Sequence, residues 1–248
     1  MKPKLFIFDM DGTLTESKRP LAPSMGKLLA GLLGIARVGV ISGADFPQFK
    51  RELISRIPKR ANFKNLFILP MNGSELWMFR KMWKRAYRHS LSATERKRIT
   101  KAFNEVMKEV GHKPKKIYGR ILDDRGAQIT FSGLGNHTPL AIKKKWDPHQ
   151  KKRKRMRALL KKRLPGFEIG IAGLSSIDVT KKGITKAFGV RRALAHFRAW
   201  KKDAVFVGDA LFPGGNDYPV KSVGIKTVQV SSPRGAEKLI RSVLSGKI

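Results

Sequence analysis

Apolar residues are distributed along the chain in two textures. Short, nearly continuous runs at residues 5–8, 37–41, 65–69 and 204–207 are those of strands buried on both faces of a parallel sheet. Between them, apolar residues recur at helical spacing. Residues 20–34 put Leu21, Met25, Leu28, Leu29, Leu32 and Leu33 on one face, with Pro near the start and Gly at the end. Residues 184–200 do the same with Ala187, Val190, Leu194 and Phe197. A last strand is expected within residues 223–230 and a closing helix over 233–244. Alternation of this kind predicts an α/β core built on a Rossmann-like parallel sheet.

The middle of the chain reads differently. An Asn72-Gly73 turn between apolar residues signals a hairpin. A helix follows over 92–110, with Ser92 as N-cap and Glu95 completing a capping box. Residues 117–122 and 127–131 are expected to pair as antiparallel strands across a turn at 123–126. Residues 148–164 form a helix whose apolar stripe is only Met156, Leu159 and Leu160. Strands at 167–172 and 176–179 complete a second sheet. This block fits an inserted α+β cap domain over 82–182, dividing a core made of 1–81 and 183–248.

Composition changes the picture in charge above all. The chain of 248 residues has 53 Lys+Arg against 18 Asp+Glu, a net charge of +35, with no Cys. Disulfides and Cys-ligated metals are thereby excluded. No apolar run has transmembrane length, and the first strand begins at Leu5 with no room for a leader, so a cytoplasmic protein without membrane insertion is expected. Basic residues pervade every expected helix, over 50–60, 80–88, 143–163, 181–202 and 234–247, instead of one face or tail. That distribution reads as a surface supercharged by engineering over an enzyme scaffold, binding polyanions and nucleic acid without specificity. A natural nucleic-acid-binding protein is the alternative.

Several of the few acids stand where strands end. The first strand stops at Asp9-Met10-Asp11-Gly12-Thr13. In open α/β sheets ligands sit beyond the carboxyl ends of strands. Asp9 is placed there to attack phosphorus and Asp11, two residues on, to protonate the leaving oxygen and then deprotonate water. Paired carboxylates call for a cation, and Mg²⁺ suits carboxylates plus phosphate oxygens. The second strand ends in Ser42-Gly43, a hydroxyl and an amide able to bind a phosphate oxygen. The fourth ends in Gly208-Asp209, followed by Asn216 and Asp217. Asp209 would complete the Mg²⁺ site with the Asp9 carboxylate and Asp11 backbone carbonyl; Thr13, Asn216 and Asp217 would orient ligands and water around it.

These motifs, in this order, resemble the haloacid dehalogenase superfamily, whose first motif is Asp-x-Asp-Gly-Thr and whose second is a strand ending in Ser or Thr. Its third motif, a Lys opening the helix before the fourth strand, is matched by Lys186, which would neutralise Asp9 and a phosphate oxygen; Lys181 and Lys182 are the fallback. The cap between motifs two and three, and the loop Pro213-Gly214-Gly215-Asn216-Asp217, look like the type IIB group and its phosphomannomutase branch. By that resemblance Ser176 and Asp178 contact a sugar hydroxyl. The branch's cap grips a distal phosphate with an Ile-Gly-Arg segment; the matching stretch here is Gly133-Leu134-Gly135-Asn136, with Asn in place of Arg. Arg120 or Arg125 could supply a cation instead. The resemblance implies a Mg²⁺-dependent phosphatase acting on a small phosphorylated metabolite, a sugar phosphate, through an aspartyl-phosphate. A hexose phosphomutase is the alternative among enzymes, and a nucleic-acid-binding protein on the same scaffold is the alternative outside them.

Overall fold

The computed structural model describes residues 3–16 and 19–247. In chain order the first elements are β1 (Leu5–Asp9), α1 (Pro23–Ile35), β2 (Arg37–Ile41), α2 (Phe46–Glu52), β3 (Leu66–Leu69), β4 (Glu75–Phe79) and β5 (Trp83–Arg88). The next are α3 (Ala93–Glu109), β6 (Leu122–Asp124), β7 (Ile129–Ser132), α4 (Leu140–Trp146), α5 (Lys151–Arg163), β8 (Phe167–Ala172) and β9 (Ser176–Lys181). Last come α6 (Lys186–Phe197), β10 (Ala204–Gly208), β11 (Lys226–Gln229) and α7 (Pro233–Leu244). The chain divides into two compact units, one of which is the insert His89–Ile184.

The core unit holds a seven-stranded sheet in the order β11-β10-β1-β2-β3-β4-β5. The β11, β10, β1, β2 and β3 strands run parallel, and β4 and β5 add an antiparallel edge. Alternate residues of the apolar runs feed two cores. Phe6, Phe8, Val38 and Val40 pack with α1 and α7, while Leu5, Ile7, Ile41 and Phe67 pack with α6. Burial on both faces is why these strands read as continuous apolar runs, each large side chain contributing about 1.5–3 kcal/mol. β1 lies between β2 and β10, so its carboxyl end opens between two neighbours whose connections leave in opposite directions.

The boundary expected at residue 82 lies at His89 instead. Residues 80–88 are expected as a basic helix, but Trp83–Arg88 is a strand that pairs with Glu75–Phe79 along its whole length and closes the core sheet.

The inserted unit is a four-stranded antiparallel sheet in the order β6-β7-β9-β8, with α3 and α5 packed on one face. Ile129, Phe131, Ile177 and Val179 meet Ile99, Phe103, Met156 and Leu160 in its core. Ser92 and Glu95 form the expected capping box at the start of α3. Residues 117–121 are not a strand. There Tyr118 donates its N–H to the Leu134 carbonyl and accepts from the His137 N–H, so the segment is held by the 134–137 loop and sheet pairing starts at Leu122. The sparse stripe of α5 is completed by Arg153, 2% exposed, whose Nε donates to Asp147 Oδ2 at 3.0 Å and whose Nη1 donates to the Gly173 carbonyl at 2.8 Å.

Candidate active site

Three strand ends of the core sheet deliver the expected residues to one place. Asp9 closes β1 and is buried. Behind it the chain folds back tightly: the Leu14 and Thr15 N–H groups both donate to the Met10 carbonyl, and Gly12 N–H donates to the Thr15 carbonyl at 2.7 Å. Gly12 has φ +92, and a Cβ there would collide with the Asp209 carboxylate. The turn therefore needs glycine twice over, for its backbone and for the approach of a carboxylate from β10. Gly208 answers the same need on the other side, since a Cβ there would strike the Asp217 carboxylate.

Lys186 is the first residue of α6 and is 1% exposed. Its Nζ donates to Asp9 Oδ1, and to Asp217 Oδ1 at 2.7 Å. Asp217 Oδ2 accepts from the Ala210 N–H at 3.0 Å, which ties the 209–217 loop to the end of β10. Thr13 Oγ1 donates to Asp9 Oδ2 at 3.4 Å. Ser42 Oγ donates to Asp11 Oδ2 at 3.3 Å and accepts from the Ala44 N–H at 3.2 Å, beside the half-buried Gly43. Asn216 is half-buried in the 209–217 loop, and its side chain makes no hydrogen bond among the described residues.

The carboxylates that cluster are Asp9, Asp209 and Asp217, each offering an oxygen within 4.8 Å of the others. Asp217, expected to orient ligands from outside, is thus part of the acidic cluster itself, while the Asp11 carboxylate leans towards Ser42. The electrostatics follow from burial and crowding. Burial pushes the Asp9 carboxyl well above the ordinary range against the pull of Lys186, and Asp217 and Asp209 push the same way. Burial, then Asp217, raises Asp209 to about 6. Burial opposes the charge on Lys186, but Asp217 and Asp9 outweigh it and hold the ammonium above its usual range. Three carboxylates face one ammonium, and the donor set is all oxygen. This arrangement fits a hard divalent cation, whose charge would relieve the repulsion that one lysine leaves uncompensated.

Lys186, and not its fallbacks, meets Asp9; Lys182 is exposed and Lys181 pairs with Glu95 at 3.8 Å. Ser176 and Asp178 belong to the inserted unit, on the sheet face opposite its helices. There Gln128 Nε2 donates to Thr130 Oγ1 and Thr130 Oγ1 to Asp178 Oδ1, both at 2.9 Å, and Ser176 Oγ lies 3.5 Å from Ser132 Oγ. Sequence reasoning missed Gln128 and Thr130; their alternation with Ile129 and Phe131 was the available signal. Arg125 Nε donates to Asp123 Oδ2 at 2.9 Å. Asn136 Oδ1 accepts from the Arg120 N–H at 3.0 Å, so this side chain braces backbone.

Known proteins share this architecture. A Bacteroides thetaiotaomicron haloacid dehalogenase-like hydrolase superposes with TM-score 0.65 at 17% identity, covering 98% of this chain and 100% of that one. A C-terminally truncated Plasmodium falciparum IMP-nucleotidase superposes with TM-score 0.75 at 16% identity, covering 98% of this chain and 72% of that one. At such identity the likeness is one of fold. In sequence, phosphomannomutase 1 of Dictyostelium discoideum is 28% identical over 243 residues, 94% of each chain. A phosphomannomutase of Encephalitozoon cuniculi is 26% identical over 234 residues, 87% of this chain and 83% of that one. The family model for eukaryotic phosphomannomutase matches residues 25–246. The chain therefore belongs to the eukaryotic phosphomannomutase family and is an enzyme of the haloacid dehalogenase phosphoryl-transfer type.

Proposed function

We propose that the chain hydrolyses a small phosphorylated sugar, with Asp9 as the nucleophile and Mg²⁺ as the cation. The observation that carries this reading is the Lys186 ammonium bound to one oxygen of Asp9 and to Asp217. It fixes the Asp9 carboxylate with Oδ1 on the ammonium and Oδ2, which among the described residues accepts only the long 3.4 Å bond from Thr13, turned to attack. As the Asp9–phosphorus bond forms, the ester P–O bond breaks and Asp11 gives its proton to the leaving oxygen. Asp11 then takes a proton from water, the water oxygen bonds phosphorus, and Asp9 leaves, releasing inorganic phosphate. Asp9, Asp209 and Asp217 would hold the cation, which supplies charge neutralisation for the phosphate oxygens. Ser42 and the Gly43 amide bind those oxygens, and Asp178, oriented by Thr130, takes a sugar hydroxyl.

Mutase chemistry is the second reading, favoured by the names of the relatives. It would return the phosphoryl group from Asp9 to a different hydroxyl of the same sugar. Hydrolysis is preferred because Asn136 stands where the resemblance leads one to expect a phosphate-gripping Arg, and its amide oxygen is committed to the Arg120 N–H. The test is to supply hexose 1-phosphate with Mg²⁺, with and without hexose 1,6-bisphosphate. Free phosphate as the main product supports hydrolysis. Hexose 6-phosphate without net phosphate release overturns it in favour of the mutase. The net charge of +35 supports a separate, unspecific affinity for polyanions.

A further inference from the structure

Two cavities of the inserted unit are both lined by basic residues but differ in their carboxylates. One of about 660 Å³ runs along α3 and has Glu105 and Asp124 in its wall; Arg96 pairs with Asp124 at 3.4 Å. The other, about 460 Å³, lies where the end of α3 meets α5. Its wall includes His112, Lys113, Trp146, Lys152, Arg155 and Met156 and no carboxylate. The nearby acids are committed elsewhere. Glu105 and Glu109 pair with Arg163, and Asp147 pairs with the buried Arg153. Lys113, Lys152 and Arg155 therefore have no carboxylate partner among the described residues.

The remaining wall is aromatic. Trp146 is seated against Gly133, where a Cβ would collide with the indole. Lys152 Nζ stands 5.5 Å from its ring centroid, and His112 meets it edge-on at 6.0 Å. His112 is hydrogen-bonded to the backbone of Gly133, while its Nε2, closed to solvent, has no partner. A cavity within the size range of small-ligand sites thus combines an indole with three cations that no carboxylate among the described residues neutralises. Cations without a carboxylate partner select phosphate, and an aromatic wall selects a planar ring.

We propose that this cavity is a second ligand site, for a phosphate carried on a planar aromatic ring system, as in a mononucleotide. Lys113, Lys152 and Arg155 take the phosphate, and Trp146 packs against the ring. None of these residues belongs to the strand-end site, so the proposal stands apart from the hydrolase reading.

The test uses the full chain labelled with 5-fluorotryptophan, whose four tryptophans give separate fluorine signals; Trp146→Phe identifies one of them. AMP is expected to shift the Trp146 signal saturably, and ribose 5-phosphate to bind about tenfold or more weakly for want of a stacking base. Lys152→Glu/Arg155→Glu should weaken AMP by about tenfold or more. Lys97→Glu/Lys101→Glu, the same charge change at the other cavity, should alter it by less than about twofold. A Trp146 signal that AMP does not move would overturn the proposal. So would equal losses from the two double reversals, which would mean bulk charge, or ribose 5-phosphate binding as tightly as AMP.

Discussion

Lys186 Nζ donates to Asp217 Oδ1 at 2.7 Å, and Asp217 is shut off from solvent. The same ammonium holds Asp9, so one cation joins the end of β1, the start of α6 and the loop after β10. Lys186→Met would leave two buried carboxylates without it. The expected cost is about 3–5 kcal/mol in urea unfolding, with loss of turnover. Unchanged stability would show that the pair carries no weight in the fold.

Mg²⁺ should raise the melting temperature of the protein, because only the folded chain gathers Asp9, Asp209 and Asp217. Asp209→Asn should abolish most of that rise and the phosphatase rate together. A rise of wild-type size in the variant would remove Asp209 from the cation site.

Asp147 is a test of stability against pH. Burial acts to raise its carboxyl, but the hydrogen bonds from Arg153 and the Lys152 N–H prevail and hold it below the ordinary range. A depressed carboxylate contributes stability above its unfolded pKa of about 3.9, and that contribution is lost as pH falls through the folded value. Asp147→Asn should therefore destabilise the protein by about 3–5 kcal/mol at neutral pH by stranding Arg153. The gap from wild type should narrow as pH drops below about 4. A gap constant down to pH 2 would contradict the ion-pair account.

Thr130→Val removes the donor to Asp178 while keeping the shape. If Asp178 takes a sugar hydroxyl, KM for a sugar phosphate should rise by about tenfold, the worth of one oriented hydrogen bond. Hydrolysis of acetyl phosphate, which has no hydroxyl, should be unchanged. Equal losses on both substrates would assign Thr130 to folding alone.

The gathering of residues at the strand ends was legible because each piece depends on local rules: an apolar run, then a carboxylate or hydroxyl, then glycine. Lys186 was legible by its place at a helix start, although the chain is crowded with lysines. What escaped reading depends on partners far away in sequence. Residues 80–88 look like a basic helix until Glu75–Phe79 lies beside Trp83–Arg88 as a strand. Residues 117–121 look like a strand until the 134–137 loop takes their hydrogen bonds. Arg153 looks like one more surface charge on a basic helix, yet it occupies the core position that the sparse apolar stripe of α5 leaves vacant. Asp217 reads as orienting ligands from outside the acidic cluster, because nothing local shows that Gly208 makes room for it inside.

The most direct test of the central claim is to locate the transferred phosphoryl group. Rapid acid quenching during turnover, followed by borohydride reduction and peptide mass spectrometry, converts a phosphorylated aspartate to homoserine. The account expects homoserine at position 9 in the wild type and none in Asp9→Asn, which should also be inactive. Homoserine at another aspartate, or an Asp9→Asn variant turning over at the wild-type rate, would contradict it.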